Sequence, residues 1–304
     1  MIRYDFPDLQ WLKQQIAHGF VERRGPSGEP LKTDGWPSII LQVKAKDIYR
    51  NNIKGPFSLF GNLSGYSTVK VENRQVKLDS SCFLVTNAQQ EYTLEIDRQP
   101  AETFNIHFGD TFAADILTSY QYTSNHLLDQ PIKLPVTFYN HLISKTEEVQ
   151  QLILQLQFNQ DALRKEELLA ELFLCLLRDQ IALQQKENDL PSIKKATRQE
   201  ILKRLLLSID YIQSNFGQEI ELTDLASISC LSKFHFLRLF KIAFQQSPYQ
   251  YLTTVRLTRA RALLKANPTI PIHHLSKRMG FQDSSTFSRS FFRHTGFYPS
   301  QYRE

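Results

Sequence analysis

The sequence predicts an α+β chain of 304 residues in three parts: a β-rich region over residues 1–135, a helical connector over 136–191 and an all-α region over 192–304. Three patterns carry that prediction. Apolar and polar residues alternate from about Trp36 to Phe108, apolar residues recur at helical spacing after Pro135, and the last eighty residues contain an internal repeat. Hydrophobic residues at 41% with 22% charged describe a globular chain, long enough for two cores.

In the first part the alternating residues are Val69 and Val71, Val76 and Leu78, Cys82 and Leu84, Tyr92, Leu94 and Ile96, then Phe104, Ile106 and Phe108. Turn-forming triplets fall between them, at Glu72-Asn73-Arg74, Asp79-Ser80-Ser81 and Arg98-Gln99-Pro100. Half-buried strands at roughly ten-residue spacing make antiparallel hairpins, and so a small barrel or sandwich. His107 alternates with the inward Ile106 and Phe108 and is expected to face outward. It is the lone histidine of the alternating stretch from Trp36 to Phe108, so no metal site and no cofactor are expected, and no catalytic constellation is visible. Trp36, Phe60, Tyr66 and Tyr92 read as core residues, with a pocket lining as the alternative. Cys82, Cys175 and Cys230 lie far apart and read as core fillers in a reducing compartment. Asp5, Asp8 and Lys13 interrupt any secretory signal, so the expected location is cytoplasmic.

After Pro131 and Pro135 the spacing becomes helical: Leu142, Val149 and Leu156 are seven apart, with Ile153 on the same face. A second helix is expected from about Leu163 to Gln185, with Leu169, Leu172, Phe173 and Leu176 as its stripe. The apolar run Leu168 to Leu177 contains Glu171 and is too short to cross a bilayer, so no membrane span is expected. Both helices are apolar over a wide arc. That arc can pack on the β region or form a homodimer, and the dimer is the favoured expectation. Gln184 to Asp189 with Pro191 reads as a linker.

The repeat has an offset of 51. It pairs Phe236 with Phe287, Arg238 with Arg289, Phe240 with Phe291, Pro248 with Pro299 and Tyr251 with Tyr302. Upstream the offset becomes 50, pairing Leu231 with Phe281 and Ala226 with Ser276. One helical unit therefore occurs twice, over about 222–244 and 272–295. In the first, Leu222 opens a short helix, Ile228 to Leu231 turns, and Ser232 caps a longer helix whose inward face is Phe236, Leu239, Phe240 and Ala243. In the second, Ile272, Leu275 and Met279 anchor the short helix, Gly280-Phe281 turns, and Asp283 or Ser284 caps a helix that Gly296 ends. This is helix-turn-helix grammar. Pro248 to Lys265 lies between as a rigid spacer helix of roughly 27 Å, near the roughly 34 Å between successive major-groove faces.

Charge separates the two ends. Residues 192–304 hold 17 Lys and Arg against 7 Asp and Glu, whereas residues 1–191 hold 19 against 24. Only the C-terminal part is thus expected to meet a polyanion. Its outward faces suit base edges: Phe234, Leu237 and Arg238 on the first long helix, where apolar groups meet thymine methyls and Arg forks onto guanine, and Ser284, Ser285, Thr286 and Arg289 on the second. Phe234 and Leu237 as satellite core are the alternative. Ser232, Lys233, Lys241, Lys277 and Arg293 are placed against the DNA backbone.

The stretches Ser232 to Lys241, Arg256-Leu257-Thr258-Arg259-Ala260-Arg261-Ala262-Leu263-Leu264 and Gly280 to Arg293 resemble the DNA-binding domain of the AraC/XylS family of bacterial transcription regulators, over about a hundred residues. Gln245 stands where the family usually has Gly, Tyr298 where it has Ser, and Phe292 where it has Lys or Arg. Arg261 is expected to make a structural ion pair rather than touch DNA. The resemblance implies an N-terminal cupin-like barrel that senses a small-molecule effector, a dimerising helical pair, and a non-enzymatic function as a regulator, expected to be an activator. Its partners would be double-stranded DNA, the effector, a second copy of the chain and, for an activator, RNA polymerase. Which residues bind the effector is not legible in the sequence.

Overall fold

The computed structural model describes residues 2–8, 10, 20–24, 30–33, 37–72, 74–109, 112, 113, 115, 116 and 137–303. Trp36, Asn73, Pro131 and Pro135 lie outside them. The chain divides into two compact units, Met1–Gln180 and Ile181–Glu304.

The first unit is built on strands β1 (Ile2–Arg3), β2 (Phe20–Arg24), β3 (Pro30–Thr33), β4 (Ile39–Ala45), β5 (Ile48–Lys54), β6 (Ser58–Ser64), β7 (Ser67–Val71), β8 (Arg74–Leu78), β9 (Cys82–Thr86), β10 (Glu91–Ile96), β11 (Ala101–His107) and β12 (Leu142–Ser144). Among the described residues they form a six-stranded sheet in the order β1-β4-β11-β6-β9-β12, a four-stranded sheet β5-β10-β7-β8, and the β2-β3 pair. Of the barrel and sandwich alternatives this favours the sandwich and corrects the antiparallel cupin-like barrel: the two sheets are separate among the described residues, and β1 pairs with β4 in parallel. Of the hairpins expected at the three turns, β7–β8 forms, whereas β8 and β9, and β10 and β11, lie in different sheets, so the turns at 79–81 and 98–100 carry the chain from one sheet to the other.

Both faces of the six-stranded sheet are covered. One face packs on the four-stranded sheet through Phe60, Cys82, Leu84, Leu142, Val69, Val71, Val76, Leu78, Tyr92 and Leu94. The other carries Ile40, Leu59, Phe83, Val85, Phe104, Ile106 and Phe108 against helices α1 (Glu147–Phe158) and α2 (Ala162–Asp189). Val149, Leu152, Ile153 and Leu156 of α1 and Leu168, Leu169, Leu172, Phe173 and Leu176 of α2 fill that layer, while Leu154 and Phe158 of α1 and Leu163 of α2 stay exposed. Thr146 caps α1, its hydroxyl accepting from the Val149 N–H at 3.3 Å.

Covering both faces corrects the outward placement of His107. Its ring is buried and edge-on to Phe60. Nδ1 lies 2.8 Å from Ser58 Oγ, whose own proton goes to the Pro56 carbonyl at 2.8 Å. His107 is therefore the donor, with its proton on Nδ1. Thr103, Asn105, Asn62 and Ser67 share the interior, each hydrogen-bonded there. Tyr66 is about half exposed and stacks under the Lys77 ammonium, so of the four candidate pocket aromatics only Phe60 and Tyr92 are interior among the described residues.

The second unit is helical: α3 (Lys195–Asn215), α4 (Leu222–Ile228), α5 (Lys233–Phe244), α6 (Pro248–Ala266), α7 (Ile272–Arg278), α8 (Ser284–Thr295) and a closing 3-10 turn, Gln301–Arg303. Leu202, Leu205, Leu206, Ile209 and Ile212 give α3 a buried stripe, and it packs on α4, α5 and α6. Pro248 and the reciprocal Ser247–Gln250 capping box start α6. Around the second helix pair, Leu257, Ala260 and Leu264 of α6 meet Leu275, Met279, Phe287 and Phe291. Among the described residues no helix is long and apolar enough to cross a membrane, and no group of three or more His, Cys, Asp or Glu is placed to hold a metal ion.

Candidate nucleic-acid interface

The first helix pair starts at a capping box, in which the Glu221 N–H donates to Asp224 Oδ2 at 3.0 Å while the Glu221 side chain accepts at the third helical position. Leu225 and Ala226 bury one side of α4, and the Leu231 N–H closes the turn on the Ala226 carbonyl at 3.0 Å. Ser232 caps α5, accepting from the His235 N–H. Phe236, Leu239, Phe240 and Ala243 point inward, with Phe236, Phe240, Phe244 and Tyr251 in ring contact.

The opposite side of α5 is open. Phe234 is 89% exposed, which no satellite core would leave, and Ser232, Lys233, Arg238 and Lys241 are exposed beside it. Leu237 is half-buried, because it lies on the flank between the two faces. An aromatic ring in water next to three cations is a surface whose chemistry suits an anionic, partly apolar partner.

In the second pair Leu275 and Ser276 are buried on α7, and the Phe281 N–H closes the turn on the Ser276 carbonyl at 3.0 Å. Asp283 is the cap of α8. Its Oδ1 accepts from the Thr286 N–H at 2.7 Å and its Oδ2 from the Thr286 hydroxyl at 2.8 Å, bonds that hold the carboxyl below its usual range. Phe287 and Phe291 face inward. Ser285, Arg289, Arg293 and Lys277 are exposed. Thr286 is half-buried, its hydroxyl tied to the cap, and Ser284 is half-buried with its hydroxyl 3.0 Å from that of Ser276. Of the four expected reading residues, Ser285 and Arg289 are exposed, with Arg289 Nη2 3.5 Å from Thr286 Oγ1, whereas the hydroxyls of Ser284 and Thr286 are bonded to Ser276 and Asp283. Phe292, where a cation was the familiar alternative, stacks on Tyr298 at 4.7 Å.

Two arginines carry more of the architecture than the sequence reveals. Arg256 and Arg259, one turn apart on α6, both reach inward to the end of α3, and Arg259 donates to the Gln213 carbonyl at 3.0 Å with Phe216 under its guanidinium at 4.1 Å. Arg261, expected in an ion pair, lies close enough to His294 to contribute to lowering that histidine's pKa, after burial. A cleft of about 440 Å3 opens beside Arg256, between Gly217, Tyr249, Phe281 and Thr286.

Residues 225–304 match the family model described as a helix-turn-helix domain. The chain is 32% identical over 96 residues to the lactose operon transcription activator of Staphylococcus xylosus, an alignment covering 32% of this chain and 34% of that protein. It is 33% identical over 98 residues to the raffinose operon transcriptional regulatory protein RafR of Pediococcus pentosaceus, covering 32% and 35%. Residues 225–304 form a helix-turn-helix domain of the AraC type, similar to that of these AraC/XylS-family regulators. The C-terminal domain of AraT, a response regulator from Geobacillus stearothermophilus, aligns at 30% identity over 33% of this chain and 83% of that one, with a TM-score of 0.32. The alignment spans about a third of the length of the two operon regulators, and the shared part is the AraC-type domain.

Within that AraC-type domain the repeat explains the departure at Gln245. Gln245 and Gly296 end their helices in the left-handed region, at φ 55° and 80°, and the turn residues Cys230 and Gly280 occupy it at φ 50° and 74°. The first unit thus holds two side chains where the second uses glycine. Left-handed backbone at a side-chain-bearing residue costs roughly 1–2 kcal/mol, partly offset because glycine loses more freedom on folding. Cys230→Gly is expected to stabilise the domain by about 0.5–1 kcal/mol. Gln245→Gly should gain less, because the Gln245 amide also donates to the Ile242 carbonyl at 2.8 Å. Urea denaturation of both variants checks the order.

Proposed function

We propose that this chain is a sequence-specific DNA-binding transcription regulator whose two helix-turn-helix units, α4-α5 and α7-α8, read successive major-groove faces of double-stranded DNA. The observation that carries the reading is the pair of long helices with fully buried inner faces and exposed, cation-bearing outer ones in a domain of the AraC/XylS family. On α5, Phe234, Leu237 and Arg238 read bases, and Ser232, Lys233 and Lys241 hold phosphates. On α8, Ser285 and Arg289 read, Ser284 and Thr286 set the helix entry, and Lys277 and Arg293 hold the backbone.

The N-terminal unit is proposed to take a small-molecule effector between its sheets, in a cupin-like manner. Buried polar side chains at Ser58, Asn62, Thr103, Asn105 and His107 support that, as does the buried Thr86 hydroxyl, which has no hydrogen-bond partner among the described residues. Leu154 and Phe158 of α1 and Leu163 of α2 remain exposed, and we assign them to a homodimer contact. The Staphylococcus xylosus relative is named an activator. We extend activation to this chain, with RNA polymerase as partner and the cytoplasm as its place of action.

The test starts from operator DNA selected by the full chain from a random duplex pool. Arg238→Ala and Arg289→Ala should each weaken binding to it by about 1–3 kcal/mol and relax preference at a few base pairs of different half-sites. Identical footprints and sequence preferences for both variants would refute the assignment of the reading faces. Thermal shifts with sugars and small organic acids test the effector.

A further inference from the structure

Arg256 sits where three elements meet. Its side chain is 8% exposed on α6. Nε donates to the Phe216 carbonyl at 2.8 Å and Nη2 to the Gln218 carbonyl at 2.7 Å, the two acceptors flanking Gly217 in the turn that ends α3. On its other flank lies the turn between α7 and α8: a Cβ added to Gly280 would fall 2.7 Å from Nη2 and 3.0 Å from Cζ. The Phe281 ring is 5.7 Å from Cζ. The two turns also touch directly, since a Cβ on Gly217 would lie 2.9 Å from the Arg278 carbonyl oxygen.

The consequence is mechanical. Helix α3 supports the first pair, packing on α4 and α5, and α7 and α8 make the second. Were α6 the sole connection, rotation of the second pair about its axis would meet little resistance. The planar guanidinium, bonded to one turn and covered by the other, blocks that rotation. Glycine at 280 is then required twice over, for its φ of 74° and for the space the guanidinium occupies.

We propose that Arg256 is the positioning residue that fixes the angle between the two reading helices, so that the second unit engages DNA at a high effective concentration once the first is bound. This rests on the two-unit reading above. With the units held rigidly the second contact is intramolecular, and loosening the junction dilutes it over many orientations. Arg256→Met should therefore lower affinity for selected DNA carrying both half-sites by about tenfold or more, while leaving affinity for the same duplex with one half-site scrambled within about twofold.

A measurement without DNA separates this from the DNA-binding reading itself. Spin labels on the exposed Cys230 and on Ser285→Cys in the full chain report the distance between the first turn and the start of α8; Cys82 and Cys175 are buried. One narrow distance distribution is expected, broadening in Arg256→Met. Should the methionine variant lose its helical circular dichroism, Arg256→Lys decides: it keeps a cation at the site but cannot span both carbonyls, so the distribution should still broaden. Distributions as narrow as the parent's in the folded variant, or equal losses on two-site and one-site DNA, overturn the proposal. If the parent selects no DNA sequence while the distances still broaden, the clamp stands and the DNA-binding reading falls.

Discussion

Lowering the pH from 7 towards 4 is expected to unfold the N-terminal unit while the helical C-terminal domain persists. His107 and His141 are both buried, and burial pulls each pKa down to about 4. His107 donates to Ser58, and His141 donates Nδ1 to the Tyr139 carbonyl at 2.9 Å, with the Arg74 charge opposing protonation further. In the unfolded chain each imidazole titrates near 6.5. The folded pKa is the depressed one, so the unfolded state takes up protons first as pH falls. Stability is intact above about pH 6.5 and is lost progressively down to about pH 4. A shift of that size is worth about 3 kcal/mol per histidine, and two of them approach the whole stability of an ordinary domain, about 5–15 kcal/mol. Acid titration followed by limited proteolysis and circular dichroism should show residues 181–304 outlasting residues 1–180. The double variant His107→Gln, His141→Gln should shift the acid midpoint downward. A midpoint unchanged by both substitutions would remove these histidines from the account.

That His107 matters at all was hidden from the sequence, and the reason is geometric. Strand β11 reads Ala-Glu-Thr-Phe-Asn-Ile-His, a clean two-residue alternation that ordinarily marks one wet face. Alternation says which residues share a face, not what lies over it. Here the helices cover Phe104 and Ile106, and the second sheet covers the side of Thr103, Asn105 and His107, so the polar row is bonded inside. The connector shows the same ambiguity. A wide apolar arc through Val149, Ile153 and Leu156 suits a dimer or a sheet equally well, and the arc is filled by Phe83, Val85 and Phe104.

The C-terminal helices were legible because their signals are local: caps at Ser232 and Asp283, and paired phenylalanines four apart that recur at a fixed offset. What local signals miss is a long side chain turned inward. Arg256 and Arg259 look like two more cations in a basic segment. Only the backbone carbonyls of Phe216, Gln218 and Gln213, some forty residues away, show that these two are spent on the fold. The same holds for Ser284 and Thr286, whose hydroxyls suit base edges on paper but are engaged by Ser276 and Asp283.

That division between braced and free polar groups sets the expected salt dependence of DNA binding. Of the 17 cations in residues 192–304, Arg256 and Arg259 face inward, and Arg204 is paired with Glu200 at 2.8 Å. The set proposed to face phosphate is Lys233, Lys241, Lys277 and Arg293, all exposed. Four neutralised phosphates give a slope of about −3.6 in log affinity against log salt, or about a hundredfold loss between 50 and 200 mM. A formal +10 over that segment would give a slope more than twice as steep if every unpaired charge met a phosphate. Lys233→Gln, Lys241→Gln, Lys277→Gln and Arg293→Gln should each flatten the slope by about one. Arg256→Lys should leave the slope alone even where it lowers affinity, because its charge faces carbonyls rather than phosphates. Affinity measured by fluorescence anisotropy across that salt range decides the matter: a flat profile would mean that the exposed cations are solvated surface, and a slope near −9 that many cations beyond these four meet phosphate.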